Sequence, residues 1–153
     1  MNITLRDIRD NEQDDVYAIV KSVLQPFGLQ VDPDGTDKDL SDIRGFYIDK
    51  GGCFKVIADD GVIIGSYGLF PLSLEICELR KMYLLPAYQG RGLGRLMMED
   101  ALAEARQRQF KEMVLETNSV LERAGRLYQK YGFEKYRPEH LSDRCDCAMR
   151  LRL

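Results

Sequence analysis

The sequence predicts a single α+β domain, spanning residues 1–153, that is built on a mixed sheet. Three observations predict it: strand-like segments outnumber helical patterns, two of these segments form a hairpin, and one strand–helix–strand crossover follows. The order is strand, helix, helix, three strands, helix, strand, helix and two strands. At 153 residues the chain is long enough to bury one core.

The first third of the chain predicts one strand and two helices. Segment 3–8 alternates apolar and polar residues, which is typical of a strand. A stripe of apolar residues at helical spacing predicts the first helix: Val16, Ile19, Val20, Val23 and Leu24. Pro26 and Gly28 end this helix, and a second, weaker helix is predicted for 37–50.

The middle of the chain predicts three consecutive strands. Runs 53–59 and 62–70 are rich in β-branched residues and flank a tight turn, so they predict a hairpin. Gly65 and Gly68 lie inside the second run and predict a bulge or a close approach of another backbone. Segment 74–85 predicts a longer third strand.

The last third of the chain predicts two more helices and three strands. Helical spacing of apolar residues predicts a helix over 92–109 and another over 121–132. The strand 111–117 separates them and completes a crossover. Strands 133–136 and 144–153 close the sheet, which gives seven strands and four helices in all.

Composition excludes several classes of partner. The chain has 25 acidic and 22 basic residues and a net charge of -3, so we expect neither nucleic acid nor an anionic membrane as a partner. No apolar run approaches membrane-spanning length and no leader peptide is visible, which favours a cytoplasmic protein. We expect all four cysteines to be reduced and structural, the first three of them in strands, and with His140 alone beside them we expect no metal site: Cys53, Cys77, Cys145 and Cys147.

A glycine-rich turn lies between the predicted third strand of the middle region and the following helix. The stretch LLPAYQGRGLGRLM (84–97) places Gly90, Gly92 and Gly94 at alternate positions, with Arg91 and Arg95 beside them. The first N–H groups of a helix have no partner within the helix and carry the positive end of its dipole. Glycines let an anion approach these groups closely. The stretch therefore predicts an anion site, rather than a turn with incidental arginines.

Two common phosphate-binding motifs do not fit this turn. A Walker A loop requires Gly-Lys-Ser or Gly-Lys-Thr, and the chain has neither. The dinucleotide fingerprint G-x-G-x-x-G fails at its last position, which is Arg95 or Met97 depending on the register. Glu112 or Glu116 could still serve as the acid that binds a ribose, so a dinucleotide oxidoreductase remains the least favoured alternative.

Three stretches resemble the GNAT superfamily of acyl-CoA-dependent N-acetyltransferases. Gln89-x-x-Gly92-x-Gly94 resembles its Q/R-x-x-G-x-G/A motif, and CELRKMYLLP (77–86) resembles its fourth strand. LETNSVLERAGRLYQKYGF (115–133) is similar to its fifth strand and fourth helix. The resemblance implies the GNAT fold, with a mostly antiparallel central sheet of about seven strands flanked by four helices. It also implies acetyl-CoA as co-substrate, without a metal.

The resemblance implies a set of coenzyme-binding residues. The glycine turn would hold the pyrophosphate of coenzyme A with Gln89, Gly90, Arg91, Gly92, Leu93, Gly94 and Arg95. The backbone of Met82, Tyr83 and Leu84 would bind the pantetheine arm and polarise the thioester carbonyl. Asn118 would bond the same arm, although it is also placed to cap the next helix.

The resemblance also implies two catalytic residues. Glu78 would take the proton from the amine, and Tyr128 would donate a proton to the departing sulfur. Strand alternation predicts that Glu78 shares a face with Arg80, so a simple ion pair is an equal alternative. Glu116 or a water relay could replace Glu78, and Tyr128 could instead be a core residue. Cys77 lies on the opposite face without a histidine, which excludes an acyl-cysteine mechanism.

The alternation that pairs Glu78 with Arg80 also assigns Met82 and Leu84 to the same face. The acceptor site has no motif of its own. The stretch 30–42 has five acidic residues, which could steer a cationic amine but favour a solvated loop: Asp32, Asp34, Asp37, Asp39 and Asp42. We expect a small amine or an amino acid as acceptor, ahead of a protein.

Two further questions stay open at the level of sequence. The alternative function is a non-catalytic acyl-CoA-binding module, which would bind the coenzyme without turnover. The resemblance allows a homodimer, but the residues do not fix the oligomeric state.

Overall fold

The computed structural model describes all residues, 1–153. Seven strands form one sheet: β1 (Ile3–Asp7), β2 (Cys53–Asp59), β3 (Val62–Pro71), β4 (Ile76–Leu84), β5 (Glu112–Thr117), β6 (Glu134–Tyr136) and β7 (Cys147–Arg152). Three α-helices accompany them: α1 (Gln13–Leu24), α2 (Leu93–Gln107) and α3 (Glu122–Lys130). The element order is the one that the sequence predicts. The weak second helix is a 3₁₀ turn, Lys38–Ser41, followed by a single π-helical turn, Arg44–Ile48.

The strands are arranged in the order β1-β2-β3-β4-β5-β7-β6. Every neighbouring pair is antiparallel except β4 and β5, which are parallel and are joined through the crossover helix α2. β4 and β5 pair only where Ile76–Glu78 faces Glu112–Val114. Beyond these three residues the two strands diverge, while β4 stays paired with β3 and β5 with β7. The divergence opens the sheet at the carboxyl ends of both strands.

A β-bulge interrupts β4 at the start of the divergence. Ser66 of β3 pairs with Tyr83 and Gly68 pairs with Arg80, so β4 has one residue more than β3 between these pairs. Lys81 takes a positive φ of 54° there, and Ser66 Oγ donates to its carbonyl oxygen at 2.8 Å. The bulge that the glycines predict is thus present. A Cβ on Gly65 would lie 2.6 Å from the Tyr83 carbonyl oxygen, so a close backbone approach is present too.

The bulge corrects one prediction about β4. Strict alternation would place Glu78, Arg80, Met82 and Leu84 on one face. The extra residue reverses the alternation after Lys81, because a shift of one residue turns every later side chain to the other face. Met82 and Leu84 therefore pack with the same core cluster as Cys77 and Leu79, which the alternation had assigned to the opposite face.

The two faces of the sheet carry separate hydrophobic clusters. The larger cluster lies against α2 and includes Met97, Met98 and Tyr128. The smaller cluster lies against α1 and includes Val20 and Tyr47. Apolar burial on both faces is the main force that holds these layers together.

All four cysteines are free thiols. Cys53 and Cys77 are buried in β2 and β4, whereas Cys145 lies in the loop before β7 and not in a strand as predicted. Burial raises the pKa of the Cys77 thiol to about 12. None of the helices has the length and apolar character that crossing a bilayer requires.

Candidate active site

A cleft of about 790 Å³ occupies the space where β4 and β5 diverge. Its walls come from β4 after Glu78, from the end of β5 and from the first turn of α2. Helix α3, the end of α1 and the loop before β7 close its remaining sides. Because β4 has no β5 partner after Glu78, its backbone N–H and C=O groups on this side are available to a ligand.

One end of the cleft is the glycine turn. Gly90 and Gly92 have φ angles of 78° and 83°, which explains glycine at both positions. None of the six N–H groups from Gly90 to Arg95 donates to a protein acceptor, whereas the N–H of Leu96 donates to the Gly92 carbonyl at 3.1 Å. Gln89 Nε2 donates to the Leu84 carbonyl at 2.9 Å and so ties the turn to the end of β4. A run of free N–H groups at a helix start is the arrangement that binds anions.

The cations beside this turn differ in part from the predicted ones. Arg95 lines the cleft, as expected. Arg91 does not: its guanidinium lies over the Tyr88 ring at 5.6 Å, and its Nη1 lies 3.6 Å from Met1 Sδ. The contribution of the Arg91 side chain to the charge of the site therefore stays a prediction. The Leu93 side chain is buried in the core, so only its N–H faces the turn.

Helix α3 supplies cations that sequence reasoning missed. Arg123, Arg126 and Lys130 all line the cleft. Their spacing of three and four residues places them on one helix face, which was the available signal. Arg123 Nη1 would lie 3.5 Å from a Cβ on Gly90, so it borders the turn directly.

The residues predicted to bind the pantetheine arm lie along the middle of the cleft. Met82, Tyr83 and Leu84 follow the bulge and line it. Leu84 is a core side chain, and burial raises the pKa of Tyr83 to about 12. Asn118 Nδ2 donates to the Arg144 carbonyl at 2.9 Å, and its Oδ1 accepts from the Val120 N–H at 3.0 Å.

The predicted cap role of Asn118 is only half present. Its bond to Val120 closes a turn, but α3 begins at Glu122, after Leu121 as its cap residue. Asn118 thus links the end of β5 to the loop before β7.

Glu78 is a largely buried carboxylate that lines the cleft. Arg80 Nε donates to its Oε1, and the Arg80 guanidinium stacks on the Phe70 ring at 3.8 Å. Burial nevertheless raises the pKa of Glu78 above its usual value, the Arg80 charge opposes this, and the nearby Glu116 charge adds to it. The ion pair and the raised pKa, which the sequence analysis treats as alternatives, are both present.

Glu116 also lines the cleft, from the end of β5. Its Oε1 accepts the backbone N–H of Ser142 at 2.8 Å, which fixes the carboxylate against the loop before β7. The Ser142 Oγ is buried without a hydrogen-bond partner. Two carboxylates, Glu78 and Glu116, therefore face the same end of the cleft.

Tyr128 enters the cleft from α3. Its side chain is 7% exposed and packs edge to face on Phe133, with ring centroids 5.9 Å apart. Burial raises the pKa of its phenol. Core packing and exposure to the cleft coexist at this residue, because it belongs to the larger cluster and still lines the cavity.

Comparisons with known proteins identify the family of this chain. The model of the acetyltransferase (GNAT) family matches residues 16–133. The chain belongs to this family. This acetyltransferase is 35% identical over 124 residues to the uncharacterized N-acetyltransferase YjgM of Escherichia coli K12, a match that covers 78% of this chain and 74% of that protein.

Solved structures share the fold of the acetyltransferase. A GNAT-family acetyltransferase from Staphylococcus aureus Mu50 superposes with a TM-score of 0.91 and 19% identity, over 99% of both chains. The PaiA N-acetyltransferase of Thermoplasma acidophilum, solved in complex with coenzyme A, superposes with a TM-score of 0.80 and 17% identity, over 100% of both chains. The predicted GNAT fold is thus confirmed.

A buried ionic cluster borders the cleft of the acetyltransferase, which Lys81 and Arg144 line. Asp37 has no exposed side-chain area, and its carboxylate accepts from Lys81 Nζ and Arg144 Nη2, both at 2.9 Å. The N–H of Asp32 also donates to it at 2.9 Å. These donors hold the pKa of Asp37 down at about 2, although burial alone would raise it. Asp39 lies beside them, 3.3 Å from Lys81 Nζ.

The buried cluster corrects the expectation that the acidic stretch 30–42 is merely solvated. Asp37 and Asp39 are buried, and Tyr47 donates its hydroxyl to Asp39. The cluster joins this loop to the β4 bulge through Lys81 and to the loop before β7 through Arg144. His140, in that last loop, is exposed at the rim of the cleft.

Proposed function

We propose that this acetyltransferase moves an acetyl group from acetyl-CoA to a small primary amine, by direct attack while both substrates are bound. The observation that carries the proposal is the composition of one cleft. It has free N–H groups and cations at one end, a buried carboxylate at the other, and a buried phenol in its lining. A coenzyme with a pyrophosphate, a long amide-containing arm and a thioester matches that order of groups.

The residues at the glycine-turn end of the cleft fit the phosphates of the coenzyme. The free N–H groups from Gly90 to Arg95 would bind the pyrophosphate, with Arg95 and Arg123 adding charge. The backbone of β4 from Met82 to Leu84, which has no β5 partner, would bind the pantetheine amides as an added strand does. Asn118 borders the same part of the cleft and completes this set.

Glu78 and Tyr128, which also line the cleft, have the chemistry that proton transfer requires. Acetyl-CoA supplies the thioester carbon that the amine attacks. A primary amine is protonated at neutral pH, because its pKa is about 10, so a base must first free its lone pair. Glu78 would take this role, since its raised pKa brings it nearer to neutral pH. Tyr128 would donate its phenol proton to the departing sulfur, because a phenol, with a pKa of about 10, still carries that proton at neutral pH.

Turnover with a panel of amines tests the proposal. Release of free thiol from acetyl-CoA is followed with each amine, for the unchanged protein and for Glu78→Gln and Tyr128→Phe. We expect each variant to lose about 100-fold or more in kcat, the usual share of general acid–base catalysis. Tyr131→Phe is the matched control, because the Tyr131 hydroxyl donates to Glu99 at 3.1 Å outside the cleft. Coenzyme binding by calorimetry without turnover on any amine would instead favour a non-catalytic acyl-CoA-binding module.

The setting of the reaction follows from the same features. Four free thiols suit a reducing compartment, so we place the reaction in the cytoplasm, without nucleic acid or membrane as a partner. The proposal does not depend on a homodimer, because every group it uses belongs to one chain.

A further inference from the structure

The acceptor end of the cleft has an apolar wall that the proposed chemistry does not use. Val23 and Leu24 end helix α1, and Phe27 and Leu29 follow in the turn after it; all four line the cleft. Phe27 is the exposed member, at 48%. Leu29 packs against the smaller core cluster, on the α1 side of the sheet. Phe70, on which Arg80 stacks beside Glu78, packs against the same cluster.

The cations near this wall are already paired within the chain. Lys81 is engaged by Asp37, by Asp39 and by the Thr36 carbonyl at 3.1 Å. Its side chain is only 5% exposed. Two buried carboxylates within 4 Å therefore already balance the charge of the Lys81 ammonium.

The two arginines at this end are paired as well. Arg144 donates to Asp37 and to the Gln30 carbonyl, and its side chain is 10% exposed. Arg80 donates to Glu78 and stacks on Phe70. An acceptor carboxylate would therefore enter without a free cationic partner.

The unpaired charge at this end has the opposite sign. Glu116 lines the cleft with no cation bonded to it, since its partner is the N–H of Ser142. Glu78 lies close enough for the Glu116 charge to raise its pKa. These carboxylates favour a cationic ammonium on its way in and would repel an anionic neighbour.

Taken together, an apolar wall, paired cations and a Glu116 carboxylate without a cationic partner point to one class of acceptor. We propose that the acceptor is a primary amine on an apolar aliphatic or aromatic group, with no carboxylate on the carbon that bears the amine. This inference rests on the proposed function and narrows it. Free α-amino acids, which the sequence alone permits as acceptors, fall outside this class. Their amides and the amines formed by their decarboxylation remain within it.

Matched pairs of acceptors test this inference on the unchanged protein. The pairs are 3-methylbutylamine with L-leucine and 2-phenylethylamine with L-phenylalanine, and L-leucinamide is added as a neutral derivative. The readout is kcat/KM from thiol release. For each acceptor, KM is expressed as the concentration of its unprotonated amine, so that acceptors with different amine pKa values can be compared. We expect both amines and the amide to exceed the amino acids by at least about tenfold, because a carboxylate buried without a partner is strongly disfavoured.

A substitution in the apolar wall tests whether this wall binds the apolar group of the acceptor. Phe27→Ala is expected to lower kcat/KM for 2-phenylethylamine about tenfold and to leave ethylamine unchanged, because only the larger amine reaches the wall. Leu74→Ala is the matched control, since Leu74 is 94% exposed and does not line the cleft. Equal loss for both amines in Phe27→Ala would contradict the role of the wall.

The outcomes separate this inference from the function on which it rests. Turnover of L-leucine equal to or above that of 3-methylbutylamine would overturn the acceptor class and leave the acetyltransferase proposal intact. Absence of thiol release with every amine, although acetyl-CoA binds, would overturn the proposed function itself.

Discussion

Replacing Asp37 by asparagine tests the physical account of the buried ionic cluster. The substitution keeps the shape of the side chain and removes its charge. Lys81 and Arg144 then remain buried, with Asp39 as the only remaining carboxylate within 4 Å of Lys81 Nζ. A buried charge that loses its partner is destabilising, and removal of one member of such a pair costs about 3–5 kcal/mol.

The pKa of Asp37 gives an independent magnitude. Its fall from 3.8 to about 2 corresponds to about 2 kcal/mol of folding free energy at neutral pH. Because Asp39 still contacts Lys81, we expect Asp37→Asn to lose about 3 kcal/mol, near the lower end of the range for broken pairs. For a chain of this length that loss lowers Tm by roughly 6–12 °C.

The sign of the pH dependence follows from a pKa that is depressed in the folded state. The contribution of Asp37 is complete above about pH 4 and is lost as the pH falls toward about 2. Urea unfolding at pH 7 and at lower pH measures it, and the difference between the two proteins should narrow below about pH 4. Asp34→Asn, an exposed position in the same loop, is the control. A loss below about 1 kcal/mol at pH 7 for Asp37→Asn would refute this account of the cluster.

Four further substitutions, one of them with a matched control, test other parts of the molecule. Glu78→Gln should abolish the acid limb of the kcat/KM profile, which lies above the usual glutamate pKa because burial raises it; a retained limb would assign the base elsewhere. Gly65→Ala should cost about 1–3 kcal/mol in urea unfolding, because its Cβ would lie 2.6 Å from a β4 carbonyl oxygen. Gly125→Ala, with open space around it, should instead add up to about 1 kcal/mol. Arg123→Gln should raise KM for acetyl-CoA several-fold while Arg106→Gln, exposed at the far end of α2, does not; equal effects would argue against a phosphate contact.

The order of elements was predictable because it depends on local periodicity. The stripes of α1 and α2 and the hairpin of β2 and β3 appear in the sequence with the spacing that their burial requires. The glycine turn was predictable because its conformation is also a local property. A positive φ and free N–H groups restrict the residue types at Gly90 and Gly92.

Long-range pairing was not predictable from the sequence. Nothing near Asp37 indicates that Arg144, more than a hundred residues away, donates to it. The bulge at Lys81 was visible only as two glycines on the facing strand, which do not say where β4 gains a residue. The direction of the Arg91 side chain likewise depends on Tyr88 and on Met1, at the other end of the chain. Such contacts follow from the tertiary fold and leave no periodic signal.

The short seam between β4 and β5 has a consequence for how the molecule responds to its substrate. The backbone pairing between β1–β4 and β5–β7 consists of three residue pairs and two further bonds. In these two bonds the N–H groups of Lys111 and Glu112 donate to the Glu75 carbonyl. A ligand that bonds to β4 on one side and to the turn and α3 on the other adds contacts across this seam. Because such a ligand binds only the folded chain, it raises the free energy of unfolding. The increase is about 2.7 kcal/mol when the ligand concentration is a hundred times its Kd. The lifetime of the folded chain thereby becomes linked to the supply of its own coenzyme.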